Sequence, residues 1–223
     1  SRIALVTMDP GALGRMSCNP AIGGLAKGQM VREIDALGGL MGRFADSAGL
    51  QYKMLNRSKG RSVWSPRAQI DKRNYEALVR RTIISIENIT IITGEVVELL
   101  ERSSRLSGVV LRDGTIILCG AVVLTCGTFL SGIVHVGGRK IPAGRMGEPR
   151  SIGITEYLLK MGFKTGRLKT GTPPSALCSS IDWTKTRPVY GDIDPSPFSF
   201  QSGSFNPPNE PCHTVRTNAS VHD

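Results

Sequence analysis

The 223-residue chain carries 28 Lys/Arg against 18 Asp/Glu, a formal net charge of +10, and 40% of its residues are hydrophobic. Such a composition is ordinary for a globular protein of one large domain or two small ones, and no apolar run approaches the roughly 20 residues that a membrane helix needs. The charge is uneven: residues 176–223 hold three basic and five acidic side chains, which leaves 25 and 13 in residues 1–175, a balance of +12 that suits an anionic partner such as nucleic acid.

The five cysteines, Cys18, Cys119, Cys126, Cys178 and Cys212, are odd in number and follow no metal-ligand spacing. The expectation is no metal site and a reducing, cytoplasmic setting. A second absence concerns nucleotides. A dinucleotide-binding unit opens strand, Gly-x-Gly-x-x-Gly, helix, and this sequence has no such motif; its first strand reads as the second strand of such a unit.

In chain order, Ile3–Thr7 reads as a short buried strand and Met8–Ile22 as a loop. Gly23-Gly24 then open a helix that runs to about Leu37 and stops at Gly38-Gly39. Met30, Ile34, Leu37 and Met41 are spaced for its core face. A strand, a glycine-bearing loop and a helix N-terminus let backbone N–H groups face an electron-rich ligand. With no Cβ, Gly23 and Gly24 admit a flat one. The alternative is an ordinary strand-to-helix connection around a buried Cys18.

Leu50–Leu55 follows as a strand. Arg57, Lys59, Arg61 and Arg67 then cluster around Gly60, Trp64 and Pro66. Basic side chains interleaved with an aromatic suit a phosphate backbone and a stacked base; the alternative is a basic loop over a tryptophan that packs inward. Asp71–Ile86 is the clearest helix, with Tyr75, Leu78, Val79, Thr82, Ile83 and Ile86 on one face.

Ile89–Thr93, Val96–Leu100, Gly108–Leu111 and Thr115–Leu118 read as short strands, the last two joined by an Asp113-Gly114 turn. Ala121–Leu124 is continuously apolar, as a strand buried on both faces of a parallel sheet should be. Its tip, Thr125-Cys126-Gly127, would then face the ligand cleft. Gly132–Pro149 reads as a surface excursion, and Ser151 as the N-cap of a helix Ile152–Met161. From Ser175 onward, Pro, Ser and aromatic residues mix without periodicity. The expectation is one domain over residues 1–175 and the start of a second, inserted domain over 176–223. Cys212 beside His213 reads as a packed cysteine.

Several stretches together carry a resemblance: Ser17-Cys18-Asn19-Pro20-Ala21-Ile22-Gly23-Gly24, Arg32–Gly39, Leu55–Gly60, Arg67-Ala68-Gln69, Thr125–Leu130 and Gly166–Pro174. In this order, over essentially the whole chain, the sequence resembles the MnmG (GidA) family of flavoproteins, which modify tRNA uridine with a 5-carboxymethylaminomethyl group. One departure is Ser175, where that family usually has an arginine.

The resemblance implies an α/β fold: an FAD-binding, glutathione reductase-like Rossmann-type domain in three layers with an antiparallel β-meander. It also implies a chain lacking the family's N-terminal glycine-rich motif and a long C-terminal part, and inactive alone. The implied activity uses FAD, NADH as reductant and methylenetetrahydrofolate as one-carbon donor, on the wobble uridine of certain tRNAs. The implied partners are the MnmE GTPase and a second copy in a homodimer, with no membrane involved. Asn19, Gly23, Gly24, Val96, Thr125, Gly127 and Ser151 are the implied cofactor-binding residues. Cys18 is the implied catalytic thiol, the alternative being a residue packed beside the flavin. Lys59, Arg61 and Arg67 stand as candidates for RNA contact. Two other functions stay open: a folate- and FAD-dependent tRNA uridine C5-methyltransferase, and a non-catalytic RNA-binding protein.

Overall fold

A computed structural model describes residues 1–172 and 175–222. Pro173 and Pro174, at the end of the Gly166–Pro174 motif, lie outside the described residues. In chain order the elements are β1 (Ile3–Thr7), β2 (Ala21–Gly23), α1 (Lys27–Ala36), α2 (Met41–Ala48), β3 (Gly49–Leu55), β4 (Ser65–Ile70), α3 (Lys72–Ser85), β5 (Ile89–Thr93), β6 (Val96–Arg102), β7 (Arg105–Leu111) and β8 (Ile116–Leu118). There follow β9 (Ile133–Val136), β10 (Arg139–Pro142), α4 (Ile154–Lys160), β11 (Arg187–Val189), β12 (Cys212–Thr214) and α5 (Ala219–His222). They sort into two compact units, each built from two stretches of chain: Ser1–Leu13 with Ile83–Thr170, and Gly14–Thr82 with Gly171–Asp223. Residues 171–222 thus fold with an earlier part of the chain.

In the first unit β1 and β5 form a parallel pair in register from Ile3 opposite Ile89 to Thr7 opposite Thr93. Both strands are rich in β-branched and aliphatic residues, which fit a pleated surface. β6, β7 and β8 form the expected antiparallel meander, and Gly114 takes the positive φ that its turn requires. Val109 and Leu111 of β7 are buried, and α4 lies against β6 with Ile154 1% exposed.

Two expectations fail here. Residues 121–124 do not form a strand: they pair with no neighbour among the described residues, and Val123 is 84% exposed. An apolar run becomes a strand only where a ladder satisfies its backbone. The excursion from Gly132 does lie at the surface, with β10 exposed throughout, and holds a regular hairpin, β9 against β10. Finally, Ser151 does not cap α4. The helix begins two residues later, with Gly153 at the cap and the Glu156 carboxylate accepting the Gly153 N–H at 2.8 Å. Ser151 is instead bridged to Leu130, its N–H donating to the Phe129 carbonyl and its own carbonyl accepting from Ser131.

In the second unit β4 sits between β2 and β3 in an antiparallel sheet. Its core is Ile22, Val31, Ala45, Ala48, Tyr52, Ala68, Ile70, Tyr75 and Phe198, with Leu78 and Val79 of α3 packed against it. Burial, and secondarily the Asp46 carboxylate, push the Tyr52 phenol far up; its hydroxyl donates to the Ala45 carbonyl at 2.6 Å. Two corrections concern α1. It starts at Lys27 rather than at Gly23-Gly24, after Ala26 at φ 60°. Its inner face is Gly28, Val31 and Asp35, while Met30, Ile34 and Leu37 are exposed. Both stripes have helical spacing, so periodicity alone could not choose between them.

Asp35 goes inward because it has work there. Its Oδ2 accepts the Phe200 N–H at 2.8 Å, while the Asp46 carboxylate accepts the Phe198 and Ser199 N–H groups at 2.8 and 2.9 Å and the Ser202 hydroxyl at 2.6 Å. Two helix aspartates thereby hold a loop whose aromatic, Phe198, fills the core at 1% exposure. Gln51 does the same for β11 and Glu210, its side-chain amide donating to the Val189 and Glu210 carbonyls at 3.0 and 2.7 Å.

Candidate functional site

The candidate residues of the first unit share one neighbourhood. Glu95, next to Val96 at the head of β6, receives the Arg112 guanidinium at 2.5 and 2.8 Å and the Ile152 N–H at 3.0 Å. These bonds, Arg112 foremost, hold its carboxyl down at about 2. Arg112 also donates to the Ile152 carbonyl at 3.1 Å. One ion pair thus fixes Val96 beside Ser151-Ile152. Ser151 in turn bonds the Phe129 carbonyl at 2.9 Å, which places it next to the turn that Thr125-Cys126-Gly127 enters. Gly127 stands at φ 57°, and a Cβ there would meet nothing within 4 Å. Burial pushes the Cys126 thiol up, so Cys126 stays protonated at neutral pH.

The second unit carries Cys18, Asn19, Gly23 and Gly24. Cys18 and Asn19 are exposed on the loop before β2, and Cys18 Sγ lies 3.7 Å from Thr172 Oγ1. The thiol does not stand at a helix N-terminus, since α1 begins nine residues later. Neither is it buried. The two glycines differ. Gly23 is φ 82°, and a Cβ there would run into the Pro66 carbonyl and come within 2.7 Å of Phe198 Cζ, so its missing side chain makes room for the core. Gly24 is φ 102° with open space beside it, although its N–H is taken by the Pro66 carbonyl at 2.9 Å.

The basic loop lies in the same unit. Arg57 and Arg61 both stand over the half-buried Trp64 ring, 6.0 and 5.6 Å from its centroid, and its indole N–H donates to the Arg57 carbonyl at 3.2 Å. Arg57 is also tied to Asp192 at 3.0 Å. Lys59 and Arg61 are exposed; Arg67 is half-buried on the central strand β4, opposite Gly23 and Lys53. Trp64 is therefore already stacked by the chain's own guanidinium groups. Cys212 packs against Gln51, and His213 bonds Thr186 at 2.7 Å. Among the described residues no group of three or more His, Cys, Asp or Glu is placed to hold a metal ion, and no helix is long and apolar enough to cross a membrane.

Sequence reasoning missed Glu95, Arg112, Asp35, Asp46 and Gln51. Their partners are mostly main-chain groups distant in sequence, and no local motif announces such bonds.

Parallel and antiparallel sheets with helices packed on them make this a mixed α/β chain of the Rossmann type. The family model described as GIDA, Glucose inhibited division protein A, matches residues 1–223, and the chain belongs to that family. It is 48% identical over 221 residues to the tRNA uridine 5-carboxymethylaminomethyl modification enzyme MnmG of Chlorobaculum tepidum, covering 98% of this chain and 36% of that protein. It is 45% identical over 220 residues to the MnmG of Thermodesulfovibrio yellowstonii, covering 99% and 35%. The structure of Aquifex aeolicus GidA superposes with a TM-score of 0.85 at 43% identity, over 92% of this chain and 35% of that one. The chain thus spans about a third of the length of the relatives it matches.

Proposed function

We propose that this chain belongs to an FAD-dependent enzyme that installs the 5-carboxymethylaminomethyl group on the wobble uridine of certain tRNAs, working with the MnmE GTPase as a homodimer in the cytoplasm. The observation that carries this reading is the 45–48% identity to proteins named for that modification, sustained over 98–99% of the chain.

The residues present fit a flavin. Gly24 and Gly127 both leave open space at a backbone of positive φ, where a flat ring or a phosphate can approach the main chain. FAD, when bound, supplies redox chemistry that no side chain offers, with NADH as its reductant and methylenetetrahydrofolate as the one-carbon source. Val96 and Ser151 present backbone groups to the cofactor and are kept in place by the Glu95–Arg112 pair. Thr125 and Asn19 add polar contacts, and Gly23 acts through the packing of Phe198. Cys18, exposed beside Thr172, is the nucleophile: its sulfur adds to C6 of the uridine, the resulting C5 enolate bonds to the one-carbon unit, and loss of the C5 proton to a base then expels the thiolate and restores the C5–C6 double bond. Lys59, Arg61 and Arg67 contact RNA phosphates.

The test is an absorption spectrum of the purified full-length protein. Flavin bands at near-stoichiometric occupancy are expected. A colourless protein that takes up no added FAD refutes the flavin assignment.

A further inference from the structure

We propose that a groove between the turn Trp183–Lys185 and the β11–β12 ladder binds the phosphate of a nucleotide. Residues 176–223 are acidic overall and contain only three basic side chains, Lys185, Arg187 and Arg216. All three line this one groove of about 510 Å³. Lys185 and Arg187 lie two residues apart in the chain, and Arg216, from just beyond β12, joins them in the lining.

Two of the three are uncommitted. Among the described residues neither Arg187 nor Arg216 has a carboxylate within ion-pair distance. Lys185 has Asp182 at 3.3 Å, but both side chains are half or more exposed, so that pair is weak. Two of the segment's acids also carry other bonds. Asp192 takes the Met54 N–H and Arg57, and Asp182 takes the Thr184 N–H and hydroxyl.

The groove's rim is fixed, not a floating loop. β11 and β12 are in register with Arg187 opposite Thr214, and Gln51 anchors β11 from the core side. Thr186 is tied to the Trp183 carbonyl and to His213. The threonine hydroxyls are largely taken up by these local bonds, so the recognition falls to the cations. A guanidinium fork matches phosphate oxygens bidentately. Val189 and Val215 complete the lining and offer apolar contact to a sugar or base, which favours a nucleotide over an inorganic anion. The volume suits a ligand of that size. The groove's lining shares no residue with the basic loop around Trp64, and the proposal does not depend on what the protein modifies.

The experiment titrates the full-length protein at fixed salt with three probes: adenosine monophosphate, inorganic pyrophosphate and a uridine hexanucleotide. Variants are Arg187→Ala, Arg216→Ala, the charge-keeping Arg187→Lys and Arg216→Lys, and a control, Lys72→Ala with Arg73→Ala, that removes two exposed charges from α3. Saturable binding of a nucleotide probe is expected, weakened about tenfold by each alanine variant, less by each lysine variant and not by the control. Binding of the monophosphate identifies a free nucleotide as the source, and binding of the hexanucleotide alone identifies an RNA backbone. No saturable binding of any probe overturns the proposal. So does tighter binding of pyrophosphate than of either nucleotide probe, or a loss as large in the control as in the arginine variants. The lysine variants keep the test open should an alanine variant fail to fold.

Discussion

Glu95 holds Arg112 through both carboxylate oxygens, at 2.5 and 2.8 Å, and Oε1 also accepts the Ile152 N–H. The head of the meander and the start of α4 are joined by this pair. It fixes the backbone at Val96 and Ser151, on either side of the join.

The pair has a pH signature. Its folded carboxyl sits at about 2 against an ordinary 4.5. A depressed folded value means that the charge stabilises the fold above about pH 4.5 and that this contribution fades as pH falls toward 2. Glu95→Gln should lower the melting temperature by a few degrees at neutral pH and by progressively less below pH 4.5. A difference that persists unchanged at pH 2.5 would show that the carboxylate's charge is not the cause.

The loop around Phe198 should behave as part of the core. Phe198→Ala is expected to cost about 3–5 kcal/mol, as for other buried aromatics, measured by denaturant unfolding. Asp46→Asn should leave the core filled but weaken the hold on the 198–202 backbone, giving faster hydrogen exchange at Phe198 and Ser199 than at Ile22. Equal exchange in variant and parent would remove Asp46 from that role.

How much of this was legible beforehand depends on the range of the forces involved. β1, β3, α3, β5 and the meander were readable because alternation, helical spacing and the Asp113-Gly114 turn act within a few residues. The buried face of α1 was not, since Met30-Ile34-Leu37 and Gly28-Val31-Asp35 are both helical stripes. The choice was made by Phe200, 165 residues beyond Asp35, whose backbone N–H takes that carboxylate. Residues 121–124 failed for the converse reason: composition favoured a strand, but no ladder partner is there among the described residues. At the site, the motif glycines were visible, yet only geometry separates Gly23, which serves packing, from Gly24 and Gly127, which face open space.

That separation is itself testable. Gly23→Ala should destabilise the fold, because its Cβ meets the Pro66 carbonyl and Phe198. Gly127→Ala, at φ 57° in open space, should cost about 1–2 kcal/mol at most while reducing flavin occupancy of the full-length protein. Full flavin content in a folded Gly127→Ala protein would take Gly127 out of the cofactor site.

For the basic loop, Lys59→Ala with Arg61→Ala should weaken tRNA binding. The slope of log affinity against log salt should fall by about 2, near one for each phosphate that is no longer neutralised. An unchanged slope would leave both side chains as solvated surface around Trp64.

The central claim is tested most directly by the modified-nucleoside content of tRNA from a strain lacking the gene, complemented with the full-length wild-type protein or with Cys18→Ser. Loss of the 5-carboxymethylaminomethyl group at wobble uridine in the deletion strain, its return with the wild-type protein, and its continued absence with a flavin-loaded Cys18→Ser protein are the predicted results. Unaltered wobble uridine modification in the deletion strain would contradict the account.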